Sequence, residues 1–230
     1  ALALAVCSTS AFGQVPAGGP LRLPMPTRMV KDKTLTLKAE ILDQYGCKAR
    51  VDWRKWSLLG TVSARRISDG TQVPTSITIF DTYYKGAGGG TPPADSIRFY
   101  NGVGSVSIYF DNPSSLVGGE QVEIIVDADG KTASKVVTVL DNVPTTFKAL
   151  SGTLSGANLT WGPGDGVIHL TGNVTIPSSS TLTINPGTLV MVDKGSPQAG
   201  VAINVSGNVN AQGTASEPVF FFPTEGVPAL

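Results

Sequence analysis

Val167-Ile-His-Leu170, Thr181-Leu-Thr-Ile184, Leu189-Val-Met-Val192, Val201-Ala-Ile-Asn-Val205 and Val219-Phe-Phe-Phe222 decide the fold. Each is a short β-branched or apolar run, the composition of a buried strand. Between them stand Thr171-Gly-Asn173, Pro177-Ser-Ser-Ser180, Asn185-Pro-Gly187, Ser206-Gly-Asn208 and Gln212-Gly213, all built from turn residues. One segment repeats: Ile168-His-Leu-Thr-Gly-Asn-Val174 reads against Ile203-Asn-Val-Ser-Gly-Asn-Val209 at an offset of 35 residues. Brief strands at recurring intervals with polar corners predict a solenoid. A turn of such a coil cannot bury its apolar face alone, so two to three turns within 167–230 predict a piece of a longer protein. Its last strand, with Phe220, Phe221 and Phe222, would be an adhesive edge in isolation.

Composition agrees with an all-β chain. Of 230 residues, 27 are Gly and 16 are Pro, and only 15% are charged. That favours short strands and many turns over helices. Lys plus Arg equals Asp plus Glu at 17 each, with no basic block. A nucleic-acid partner is therefore not expected. No stretch reaches the ~20 apolar residues of a membrane helix. With two cysteines and one histidine, neither a disulfide framework nor a two-histidine metal site can be built. Cys47 reads as a small buried hydrophobe.

Upstream of the solenoid, residues 1–13 read as a signal-peptide remnant. Ala1-Leu-Ala-Leu-Ala-Val6 is apolar, and Ala11 and Gly13 suit cleavage before Gln14. Acylation at Cys7 is the lipoprotein alternative, disfavoured by Val6 before it. Residues 14–33, with Pro16, Gly18, Gly19, Pro20, Pro24 and Pro26, predict an extended linker. Residues 34–141 predict a sandwich. Thr34-Leu-Thr-Leu-Lys-Ala-Glu-Ile41 alternates, Asn101-Gly102 marks a tight hairpin, and Val122-Glu-Ile-Ile-Val126 and Val136-Val-Thr-Val-Leu140 close the set. Lys85-Gly-Ala-Gly-Gly-Gly-Thr-Pro-Pro93 reads as a long loop. Residues 142–166 predict a connector, with Trp161 as a lid over the first coil.

Two resemblances follow from these residues. Residues 34–141, by their opening strand, Asp43-Gln-Tyr-Gly46, Phe99-Tyr-Asn-Gly102 and the Val-rich closing strand, resemble bacterial immunoglobulin-like domains. Leu170-Thr-Gly-Asn-Val-Thr-Ile-Pro177, Thr181-Leu-Thr-Ile-Asn-Pro-Gly-Thr188, Val205-Ser-Gly-Asn-Val-Asn-Ala-Gln-Gly-Thr214 and Glu217-Pro-Val-Phe-Phe-Phe222 resemble the opening coils of bacterial right-handed parallel β-helix proteins. The resemblance implies an all-β chain: an immunoglobulin-like sandwich followed by β-helix coils from 167 to 230. It implies an exported or cell-surface protein of structural or adhesive function, monomeric in its full-length context, whose partner is a glycan or another surface protein. The alternative is a β-helix polysaccharide lyase or hydrolase whose catalytic coils lie beyond residue 230.

No residue is assigned a catalytic, cofactor or metal role. Asp127-Ala-Asp-Gly130 begins like a calcium loop, but position twelve is Thr138 where a bidentate Glu is required, so a hairpin turn is expected. His169, near Asp165, has no nucleophile elbow to serve and reads as structural. Asp193, Lys194, Glu217 and Glu225 read as solvated turn charges rather than paired glycosidase carboxylates. Trp53 and Trp56, among Arg50, Arg54, Lys55, Arg65 and Arg66, offer sugar stacking. A core Trp with amphipathic neighbours is the preferred reading.

Overall fold

A computed structural model describes residues 20–43, 48, 58–79, 95–100, 102–128, 130–194, 200–214 and 216–224. These are built from strands joined by short turns, with three-residue 3-10 turns at Pro113–Ser115, Pro144–Thr146 and Pro163–Asp165. The all-β expectation holds. The described residues divide into two compact units.

The first unit takes the described residues up to Pro24, those of Thr36–Asp111, and Glu123–Val136. It carries β1 (Leu21–Arg22), and the second unit carries β2 (Arg28–Val30). Next come β3 (Leu35–Ile41), β4 (Leu58–Arg66), β5 (Thr75–Ile79), β6 (Ser96–Tyr100), β7 (Val103–Phe110), β8 (Gln121–Ala128) and β9 (Lys131–Leu140). The hydrogen-bonded order is β1-β3-β7-β6-β4-β8-β9. β7 shares one edge between two partners: Val103 and Gly104 pair with β6, and Val106 to Phe110 pair with β5. A strand that changes partners part-way lets a sheet fold over its own core. Alternating burial along β3 and β8 places Leu37, Ile124 and Val126 in that core, with Ile97, Phe99, Ile108 and Phe110. The hairpin expected at Asn101-Gly102 forms between β6 and β7, and Gly102 takes φ +74°.

The second unit takes Met25–Leu35, Asn112–Val122 and the described residues from Val137 onward. Its strands are β10 (Phe147–Thr153), β11 (Asn158–Trp161), β12 (Val167–Ile176), β13 (Thr181–Ile184), β14 (Leu189–Val192), β15 (Ile203–Val205), β16 (Asn208–Ala211) and β17 (Phe220–Pro223). They stack in three parallel ladders that the chain visits in turn. The first aligns Phe147, Val167, Leu189 and Phe220. In the second, Gly152, Val174 and Ile203 are aligned. Asn158, Thr181 and Asn208 make up the third. The described residues thus form three turns of a coil and the first strand of a fourth.

Burial follows these ladders. Ile168, Leu170, Val174, Ile176, Leu182, Ile184 and Val190 fill the interior. On the outer side of the first ladder, Val167, Leu189, Met191 and Phe222 pack with Val30, and Leu140 and Phe147 join them. β14 is covered on both faces, which is why Leu189-Val-Met-Val192 is apolar without alternation.

Three expectations are corrected. Residues 20–33 of the expected linker are not a free tether. β1 pairs antiparallel with β3, β2 pairs parallel with β9, and Met25 is fully buried. Pro24 and Pro26 shorten these strands to two and three residues without abolishing them. The expected connector 142–166 holds β10 and β11, a full coil turn paired with β12 and β13. Trp161 is therefore the last residue of a strand inside that turn, 2% exposed in the core, not a lid before it. The two halves of the 35-residue repeat do not pair with each other: Ile168 pairs with Val190, and Ile203 pairs with Val174. Shared turn chemistry produces the likeness. The Lys85–Pro93 loop, Asp43-Gln-Tyr-Gly46 beyond Asp43, and residues 1–19 lie outside the described residues.

Candidate functional site

The sequence candidates disperse over the structure. His169 lies near the start of β12, and its Nε2 is 2.7 Å from Asp193 Oδ1. Its ring meets the Phe147 ring edge-on, with centroids 5.9 Å apart. Asp165 does not join them: it accepts a 2.7 Å hydrogen bond from Lys148 Nζ and a 2.9 Å bond from the Gly162 N–H. The Lys148 bond holds the Asp165 carboxyl below the usual carboxylate range, against the effect of partial burial. Asp127 accepts from the Thr132 hydroxyl across the β8–β9 hairpin, the turn role expected for it. Arg65 is engaged by Glu123, with Nε and Nη2 each 2.7 Å from Oε2, and Arg66 reaches Thr71 Oγ1 at 3.3 Å. Among the described residues no three His, Cys, Asp or Glu side chains gather to hold a metal. Cys7, Cys47, Arg50, Trp53, Arg54, Lys55, Asp129 and Glu225 lie outside the described residues.

Two clusters centre on residues that were not among those candidates. The first is Glu40 on β3, a carboxylate 3% exposed. Its Oε2 accepts from Arg22, and its Oε1 lies 3.2 Å from Lys38 Nζ and 3.4 Å from Lys48 Nζ. Burial opposes its ionisation, but hydrogen bonds from Arg22 and Lys38 outweigh it, so its pKa is lowered. Burying this carboxylate without those partners would be costly.

The second cluster centres on Arg28 of β2. Nη1 donates to Pro163 O and Nη2 to Gly187 O, both at 2.9 Å. Burial pulls the guanidinium below its ordinary range, and the Glu217 carboxylate acts the other way. Thr27 Oγ1 donates to Glu217 Oε2 at 3.1 Å. Pro163, Gly187 and Glu217 occupy the same corner in successive turns of the coil, between β11 and β12, β13 and β14, and β16 and β17. The Gly187 N–H also donates to Glu217 O at 3.1 Å. Gly187 takes φ +72°, and a Cβ there would stand 2.7 Å from Glu217 Oε2. Glu217 is thus no solvated turn charge. It completes a half-buried polar corner.

In the first cluster one carboxylate faces three cations, and in the second the guanidinium is held by two backbone carbonyls. No protein-family model and no curated protein matches the sequence. Among solved structures, the chain is similar to domains 4–9 of the surface layer protein SbsC. There the identity is 16% and the TM-score 0.30, over 55% of this chain and 15% of that one. A structure of domains 1–6 of the same protein gives 17% identity and a TM-score of 0.29, over 55% and 13%. The chain therefore spans about a seventh of the length of these relatives. At these TM-scores the likeness carries no argument about function.

Proposed function

We propose that this chain is an exported structural module of a bacterial cell surface. In this reading an immunoglobulin-like domain precedes the coils of a right-handed parallel β-helix, and the coil wall is presented to a glycan or another surface protein. The observation that carries the reading is the three-ladder register of Phe147 to Pro223, in which paired positions repeat turn after turn. Such a stack is a rigid rod with an extended surface, and rods of this kind serve as spacers and binding walls. The apolar segment Ala1–Val6, with small Ala11 and Gly13 after it, supports export. The partners of Glu40 and Arg28, all supplied by the chain itself, support a scaffold role.

Labelling of intact bacteria with an antibody to the chain tests the location, with surface signal expected before permeabilisation. Signal appearing only after lysis would overturn it. Incubating the full-length natural protein with polyuronates and neutral glycans tests the chemistry, because the alternative places the catalytic coils beyond residue 230. Release of unsaturated uronides or new reducing ends would favour the lyase or hydrolase alternative.

A further inference from the structure

We infer that Met25–Leu35 is a strap, and that Arg28 within it binds successive turns of the coil into one cooperative block. A stack of coil turns is nearly one-dimensional, since each turn contacts only its neighbours, and such stacks open turn by turn from an end. Arg28 breaks that rule. Its guanidinium touches two corners from two different turns at once, Pro163 O and Gly187 O. Its charge reaches Glu217, at the same corner one turn further on. Thr27, its neighbour, bonds the Glu217 carboxylate directly. Three corners therefore answer to one short segment.

The strap is itself anchored. β2 pairs with β9 through Arg28↔Thr138, Met29↔Val139 and Val30↔Leu140, and Val30 seats on the outer side of the first ladder. Lys31 adds an ion pair to Asp141 at 2.8 Å. To loosen one corner the coil must either pull a half-buried guanidinium from its acceptors or carry the strap along. The planar fork is required, because one ammonium point charge cannot span two carbonyls with fixed geometry.

Native-state hydrogen exchange on the full 230-residue chain tests this, with Arg28→Gln, Arg28→Lys and the unsubstituted protein compared. The amides of Asp165, Gly187, Thr188 and Phe220 report the corners and the fourth turn, and Val62 and Val73 report the first unit. In the unsubstituted protein the corner amides should exchange at one common rate. Arg28→Gln should raise those rates about tenfold or more, graded with Phe220 fastest, and leave Val62 and Val73 within about twofold. Arg28→Lys should follow Arg28→Gln. Unchanged corner rates, a uniform rise across all six amides, or full rescue by Lys would each overturn the inference. If the Arg28 variants do not fold, Glu217→Gln decides. Faster exchange confined to Gly187 and Phe220 sustains the strap, and unchanged exchange there refutes it.

Discussion

Gly207 sits between β15 and β16, where the third turn of the coil crosses the second. A Cβ placed on it would lie 2.2 Å from Pro177 O and 2.2 Å from Ser180 O, closer than real Cβ atoms ever approach. Both obstacles are backbone, so no side chain can swing aside. Gly207→Ala must therefore push the third turn off the second. The Gly207 N–H bond to Ile176 O at 3.2 Å and the Asn208 N–H bond to Ser180 O at 3.0 Å lie in the path of that movement. Overpacking costs about 1–3 kcal/mol, and each weakened hydrogen bond about 1 kcal/mol more. The expected loss is about 3–5 kcal/mol, or roughly 10 °C in Tm for a chain of this size. Gly164→Ala is the matched control, because nothing lies within 4 Å of its Cβ. Thermal melts followed by circular dichroism should separate the two clearly. A Gly207→Ala melt within about 2 °C of the unsubstituted protein would refute the stacking register at this corner.

Other outcomes follow from the ladders and charges. Leu182 and Val209 pair in the third ladder, but Leu182 is fully buried and Val209 is 42% exposed. Leu182→Ala should cost about 2–5 kcal/mol and Val209→Ala under about 1 kcal/mol in denaturant melts, and equal costs would contradict the burial. The folded pKa of Glu40 is lowered, so its contribution is complete above the unfolded carboxylate value of about 4.3 and is lost as pH falls through the folded value. The Tm gap between the unsubstituted protein and Glu40→Gln should accordingly narrow below about pH 4, and parallel curves would refute the assignment. Lys148→Met removes the ion pair to Asp165 on a half-exposed surface, so a Tm change of no more than about 2 °C is expected, and a larger drop would mean the pair matters more than such surface pairs do.

The coil was legible where its strands are covered. β13 and β14 coincide residue for residue with the runs Thr181-Leu-Thr-Ile184 and Leu189-Val-Met-Val192, because one-sided burial writes itself as alternation and burial on both faces as an apolar run. The turn formed by β10 and β11 was less so. It is the outermost turn, and Lys148, Ala149, Ser151 and Thr153 are exposed there, so no apolar run marks it. Lys148 even occupies the position that pairs with interior Ile168 and Val190, which suits a guarded edge. The strap was hidden by Pro24 and Pro26, which signal a tether although the residues just after them reach a sheet. Arg28 had no local signal at all. Its acceptors lie 135 and 159 residues away, and only the assembled corner shows why an arginine stands there. The Glu40 cluster was equally silent, since Arg22 and Glu40 meet across 18 residues through a two-residue strand. The aromatic-basic cluster at Trp53 and Trp56 stays an expectation.

The turns of the coil are unequal in length. Val167 pairs with Leu189, 22 residues on, but Leu189 pairs with Phe220, 31 residues on. The surplus falls between Val192 and Ile203 and between Ala211 and Phe220, outside every ladder. The ladders themselves keep their alignment across that difference. The core of such a coil is therefore set by which residues pair and not by the spacing between strands, so its turns can differ in length without a change in the interior.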